Sequence, residues 1–220
     1  VAQADLMIDS FGTTQSLTVV GTTSTASSWV SGSDMIGGHR GVQLELATPY
    51  KGRDGVDVAM DSSGVLEFTQ GSGTGTALLV WDGRDSGSVP DVSATGFVPG
   101  KDFSAGDPNA GLAFDVLFND SPLNLSFTLY NGANPFNYTY SLPGGTASLG
   151  SHFIPFSAFS SQLDARDVSA VSLLIDGRVT AGADVTLDNL HCVSTVAPEP
   201  STWLLICLAG LGLGIYRMKK

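Results

Sequence analysis

Acid–base chemistry near neutral pH would have to start from three histidines, His39, His152 and His191. Imidazole is the side chain that ordinarily titrates in that range. Serine and aspartate are abundant, so a nucleophile and an orienting acid are not lacking in number. What is lacking is the spacing. No Gly-x-Ser-x-Gly turn presents a serine to a base. Neither His-Glu-x-x-His nor a phosphate-cradling glycine loop occurs. Paired carboxylates for glycoside cleavage are defined by their separation in space, which the positions of 21 acids along a chain do not reveal. His191 falls inside an alternating segment and reads as a packed or edge histidine. No catalytic residue is assigned, and the chain is read as not an enzyme. Binding is better represented. A sugar's C–H face packs on an aromatic ring beside a few polar anchors, and Trp29, Trp81, Tyr130, Tyr138 and Tyr140 are the candidates. Tyr138 and Tyr140 stand two apart, so on a strand they share one face and would form a platform. Trp81 follows the apolar Ala77–Val80 and is expected to be buried. Arg40 is expected to pair with a partly buried acid.

These residues must be held by a scaffold, and composition says which kind. Of 220 residues 42 % are hydrophobic, enough for a sizeable core, and 27 are glycine. Glutamate occurs only at Glu45, Glu67 and Glu199, and lysine only at Lys51, Lys101, Lys219 and Lys220. Helix surfaces draw on those two residues, whereas Asp, Ser, Thr and Gly suit turns and strands. Short alternating runs recur between turn clusters: Leu6–Phe11, Gly41–Leu46, Val56–Met60, Val65–Thr69 and Ala77–Trp81. Further along, Leu112, Phe114, Val116 and Phe118 form one face, and Leu123, Leu125, Phe127 and Leu129 another. Tyr138–Tyr140, His152–Ile154, the continuously apolar Val171–Ile175 and Val185–Leu190 complete the set. Period-two alternation with regular turns predicts an all-β fold, a β-sandwich of residues 5–195. Residues 82–110 are the longest irregular stretch, and such stretches are commonly functional. The formal net charge of −11 argues against nucleic acid, whose phosphates need cations. Cys192 and Cys207 are not expected to pair, and no Cys/His spacing reads as a metal site.

The two ends carry signals of another kind. Ala2-Gln3-Ala4 reads as a small-x-small cleavage site, so residues 1–4 are expected to be the remnant of a signal peptide. At the other end Pro198-Glu199-Pro200 precedes an uncharged run from Thr202 to Tyr216, and Arg217, Lys219 and Lys220 follow. A membrane-crossing helix needs about 20 apolar residues. This run is shorter, but Trp203 and Tyr216 stand where interfacial aromatics sit, and the basic end would act as a stop-transfer signal on the cytoplasmic side. The three parts in this order resemble the PEP-CTERM sorting signal of bacterial exported proteins over residues 196–220. That resemblance implies one C-terminal transmembrane helix and recognition of Pro198-Glu199-Pro200 by an exosortase-type processing enzyme. It also implies export through a single-pass inner-membrane intermediate to the cell surface or extracellular matrix, in association with exopolysaccharide.

The body has its own resemblance. Ile8-Asp9-Ser10-Phe11, Met35-Ile36-Gly37-Gly38-His39-Arg40, Phe153–Phe159, Val171–Gly177 and Val185–Leu190 are similar to jelly-roll domains of the galactose-binding-like, carbohydrate-binding-module type. The likeness implies that the first and last strands lie together and that a structural calcium is held near them, with Asp9 and Asp188 as its ligands. Calcium takes six to eight oxygen ligands, and no Asp-x-Asp-x-Asp-Gly loop supplies them here. Two functions follow. One is a non-catalytic carbohydrate-binding or adhesive module, using Tyr138 and Tyr140. The other is a structural surface protein without a discrete ligand.

Overall fold

The computed structural model describes residues 5–21, 24–48, 55–93 and 96–194. These form two antiparallel sheets stacked face to face. The first sheet runs β11 (Gly150–Pro155), β8 (Gly111–Asn119), β13 (Val185–Val193), β6 (Leu66–Gln70), β5 (Gly55–Met60), β2 (Gln15–Val20), with β1 (Leu6–Asp9) added against β13. The second runs β10 (Asn134–Leu142), β9 (Leu123–Asn131), β12 (Ala170–Asp176), β7 (Thr74–Trp81), β4 (His39–Thr48), β3 (Ser24–Ser31). The all-β sandwich expected from the alternation is therefore present, and β1 does pair with the last strand, Leu6 opposite Cys192.

The core lies between the sheets and is built from alternate residues, because successive strand side chains point to opposite faces. Val42, Leu44 and Leu46 of β4, Leu79 and Trp81 of β7, Leu125, Phe127 and Leu129 of β9, and Leu173 and Ile175 of β12 all have 0–1 % of their surface exposed. Val56, Val58 and Met60 of β5 face them from the other sheet, as their spacing predicts. Phe118 departs from its expected face. Leu112, Phe114 and Val116 are buried, but the register against β13 slips between Thr186 and Leu187, which pair with Phe118 and Val116. Leu117 is the extra residue of this bulge, so Phe118 turns outward and is 50 % exposed.

The expected remnant 1–4 and the whole sorting signal lie outside the described residues. The signal includes Pro198, Glu199, Pro200 and the basic Arg217, Lys219 and Lys220. The expected localisation is corrected here. Among the described residues no helix is long and apolar enough to cross a membrane. The inner-membrane intermediate rested on a C-terminal transmembrane helix over 204–216, which is also outside them.

Candidate functional site

One buried ion pair sets the frame. Arg40 and Asp9 are both fully buried, with Arg40 Nη1 donating to Asp9 Oδ2 at 2.7 Å. The rest of the guanidinium is also satisfied: Nε donates to Gln15 Oε1 at 2.8 Å and Nη2 to the Thr13 carbonyl at 2.7 Å. Asp9 accepts two more bonds, from the Trp81 Nε1–H at 2.8 Å and the Phe11 N–H at 2.7 Å. Burial pushes the Asp9 carboxyl above its ordinary range, against the opposing pull of Arg40. This cluster ties β1, β4 and β7 to the turn before β2. It answers the expectation for Arg40 and overturns that for Asp9. Both carboxylate oxygens are committed to N–H donors, so Asp9 does not fit a calcium ion.

Asp188 sits on the outer face of the first sheet, opposite Asp115 and hydrogen-bonded by Asn189 at 3.0 Å. Burial and then the Asp115 charge raise its pKa. The two expected ligands are not gathered into one set. Among the described residues no group of three or more His, Cys, Asp or Glu is arranged to hold a metal ion.

Tyr138 and Tyr140 share a face, but it is the inner one. Phe136, Tyr138 and Tyr140 pack against the core from edge strand β10. The Tyr140 hydroxyl meets His152 Nδ1 at 2.8 Å, and its ring stands edge-on to Phe114 at 5.6 Å. Tyr138 packs on Phe159 at 5.7 Å. The pair closes the end of the sandwich between β10 and β11 instead of forming an outward platform. Trp81 is fully buried, as expected. Among the described residues the histidines are engaged without a carboxylate partner. His39 meets Ser31 Oγ at 3.0 Å, His152 also meets the Ser148 carbonyl at 2.8 Å, and His191 meets the Asn189 carbonyl at 2.5 Å.

The outer face of the second sheet offers what the tyrosines do not. Direct antiparallel register lines its outward side chains into rows across all six strands. The middle row is Thr139, Ser126, Leu174, Leu78, Gln43 and Ser27. The next is Ser141, Asn124, Asp176, Thr76, Glu45 and Thr25. Two leucines thus stand at the centre of a hydroxyl- and amide-bearing surface. Ser126 and Thr139 are linked at 2.9 Å, and Ser141 donates to Asn124 Oδ1 at 2.8 Å. Gln43 Oε1 is buried and accepts no hydrogen bond among the described residues. At a typical strand spacing of about 4.8 Å, six strands span roughly 25 Å.

A strap walls this face on one side. The third row ends in Ser172, Val80, Gly41 and Trp29. Val80 points outward, since Leu79 and Trp81 point in, yet Val80 is fully buried; so is Val89 in the following loop, and neither belongs to the central core. Residues 82–93 cover that end of the face. Asp82, fully buried, holds the strap: it accepts from the Arg84 N–H at 3.1 Å, Arg84 Nε at 2.7 Å and the Ser93 N–H at 2.8 Å. Trp29 lies across Gly41, where a Cβ would come within 2.8 Å of the indole. Its Nε1–H donates to the Gly87 carbonyl at 3.0 Å, and Arg84 sits 5.9 Å from its ring centroid. Trp29 therefore anchors the strap. On the opposite side Arg178 grips Asp176 through two bonds of 2.8 Å, which lower the Asp176 pKa.

No family model matches the chain, and no curated protein matches it. Its structural neighbours include carbohydrate-binding modules. One is a family 11 module from Clostridium thermocellum in complex with a beta-1,3-1,4-mixed-linked tetrasaccharide. It is 18 % identical over 90 % of this chain and 100 % of that one, with a TM-score of 0.41. Another is a family 30 module of a cellulosomal cellulase of Clostridium thermocellum, 15 % identical over 88 % and 98 %, TM-score 0.42. An exo-beta-agarase is matched over 90 % of this chain and 26 % of that one, at 14 % identity and TM-score 0.43. Likeness at this level carries no argument about a ligand.

Proposed function

We propose that the chain is a non-catalytic module that binds a neutral, extended glycan across the outer face of the second sheet. The observation that carries this is the middle row, with Leu78 and Leu174 flanked by Ser126, Thr139, Gln43 and Ser27. The leucines offer a surface to C–H faces, and the hydroxyls and amide offer partners to sugar hydroxyls. Strand spacing of about 4.8 Å is close to the length of one pyranose in an extended chain, so successive units would meet successive strands. Charge points to a neutral polymer. The face carries Glu45 and Asp176, and Arg178 beside them is taken up by Asp176.

The test is isothermal titration with neutral glycans, beginning with a mixed-linked β-glucan, beside polygalacturonate as the anionic comparison. Leu78→Ala and Gln43→Ala are each expected to weaken binding tenfold or more, about 1.4 kcal/mol. Folding should be unchanged, because both side chains point away from the core. Failure of every neutral glycan to bind, or binding indifferent to both substitutions, would overturn the reading and leave a structural role without a ligand.

A separate proposal rests on the sequence alone. Pro198-Glu199-Pro200 is the segment an exosortase-type enzyme would recognise. Co-expression with such an enzyme is expected to shorten the chain by its tail, read as intact mass. Alanine at all three positions should leave it full length. Equal shortening of that variant would refute the assignment.

A further inference from the structure

A second concave feature lies away from that face. It is a cleft of about 440 Å³ between the loops 102–110 and 156–166. Small-molecule sites commonly occupy roughly 300–1,000 Å³. Its walls are tied to each other in several places. The Phe103 N–H donates to the Ala165 carbonyl at 2.7 Å, and the Phe156 N–H to the Ala110 carbonyl at 3.0 Å. Phe103 and Phe156 pack with centroids 6.4 Å apart. From behind, Asn131 holds the 164–167 turn: its Nδ2 donates to the carbonyls of Asp164 at 2.9 Å and Asp167 at 2.8 Å, and its Oδ1 accepts the Asp164 N–H at 2.8 Å. The cleft is therefore formed before any ligand arrives, which removes an ordering cost from binding.

Its lining is chemically divided. Phe156, Leu163 and Pro108 supply an apolar wall, and Ser157, Asp164 and Arg166 supply polar groups. Arg40, Arg84 and Arg178 each hold an aspartate. Arg166 holds none among the described residues, although Asp164 lines the same cleft. Among the described residues the Asp164 carboxylate accepts only the Arg166 backbone N–H, at 3.0 Å. Arg166, Asp164 and Asp107 all line this cleft, and among the described residues no ion pair joins Arg166 to either aspartate. Two neighbouring hydroxyls of one sugar ring satisfy both, one donating to Asp164 and the other accepting from Arg166. Leu163 and Pro108 offer an apolar surface to the C–H face of such a ring.

We propose that this cleft is a second binding site, for the terminal unit of a neutral glycan. A cavity of this volume between loops takes one or two rings, unlike a row crossing six strands. The site does not depend on the outer-face reading. With both in place, one chain engages two glycan strands and links them.

Titration of the full chain with methyl glycosides of neutral hexoses, followed by saturation-transfer NMR, tests the cleft alone. Arg166→Ala removes the donor fork, and Leu163→Trp fills the space. Each is expected to weaken the best glycoside at least tenfold while leaving polymer binding at Leu78 and Gln43 unchanged. Asp164→Asn keeps the turn and should weaken binding less. The proposal is overturned if no glycoside binds the unaltered chain at millimolar concentration, or if Arg166→Ala and Leu163→Trp both bind it unchanged. Failure of the outer-face site would show differently, as polymer binding indifferent to Leu78→Ala.

Discussion

Arg40→Met is expected to cost about 3–5 kcal/mol of stability, the range for removing one partner of a buried ion pair. At an m-value of about 2 kcal/mol per M this lowers the urea midpoint by roughly 2 M. The reason is what remains. Asp9 would keep its Trp81 and Phe11 donors but lose the only cation beside it among the described residues, in a place with no access to water. Gln15 Oε1 and the Thr13 carbonyl would lose their donors as well. Arg40→Lys should rescue little, because one ammonium cannot reach three acceptors set out in the plane of a guanidinium. The double variant Arg40→Met with Asp9→Leu should recover a large part of the loss, since no charge is then left buried. Acid separates the two causes further. The Asp9 carboxyl already titrates above its ordinary value of 3.8 because of burial. Without Arg40 it titrates higher still. A raised carboxyl binds its proton more readily folded than unfolded, so stability falls as pH rises through that window. The deficit of Arg40→Met is therefore expected to be smaller at pH 4 than at pH 7. A double variant no more stable than the single one would show that the charge is not the cause.

Asp82→Ala is the second large effect, and it is local. The carboxylate accepts three bonds that hold residues 82–93 against the sheet. Hydrogen bonds to charged groups are each worth about 1.5–3 kcal/mol, so losing them should raise the open population of the strap on the order of a hundredfold or more. Limited proteolysis would detect cuts within 84–93, and hydrogen exchange would detect faster exchange at Ser93, with the global unfolding midpoint changed much less. The wall at Val80 and Trp29 would go with it, and glycan binding on the outer face should weaken. Strap cleavage no faster than in the unaltered chain would refute the assignment of Asp82 as its clamp.

How much of this was legible follows residue type. The strands of the core could be read because alternation at Val56, Val58 and Met60, or at Leu123 through Leu129, is imposed by one buried face. Strands β2 and β3 could not. Gln15–Val20 and Ser24–Ser31 are edge strands rich in Ser and Thr, and an edge strand with few buried positions writes little period-two signal. The candidate site was missed for a related reason. Ser27, Gln43, Leu78, Ser126, Leu174 and Thr139 are spread over more than a hundred positions of sequence and meet only through register. Only the apolar leucines at outward positions hinted at a surface other than plain solvent. Tyr138 and Tyr140 were correctly placed on one face, but alternation does not say which face is inward on an edge strand.

The sequence by itself determined the class of fold, the absence of a catalytic motif, and the need for Arg40 to find an acid. Each follows from local chemistry: propensity, period and the cost of an unpaired charge. Tertiary structure alone decided that the acid is Asp9, that Trp29 clamps a strap, and which hydroxyls share a row. Those outcomes depend on strand order and register, which join residues far apart in sequence and which no local pattern encodes.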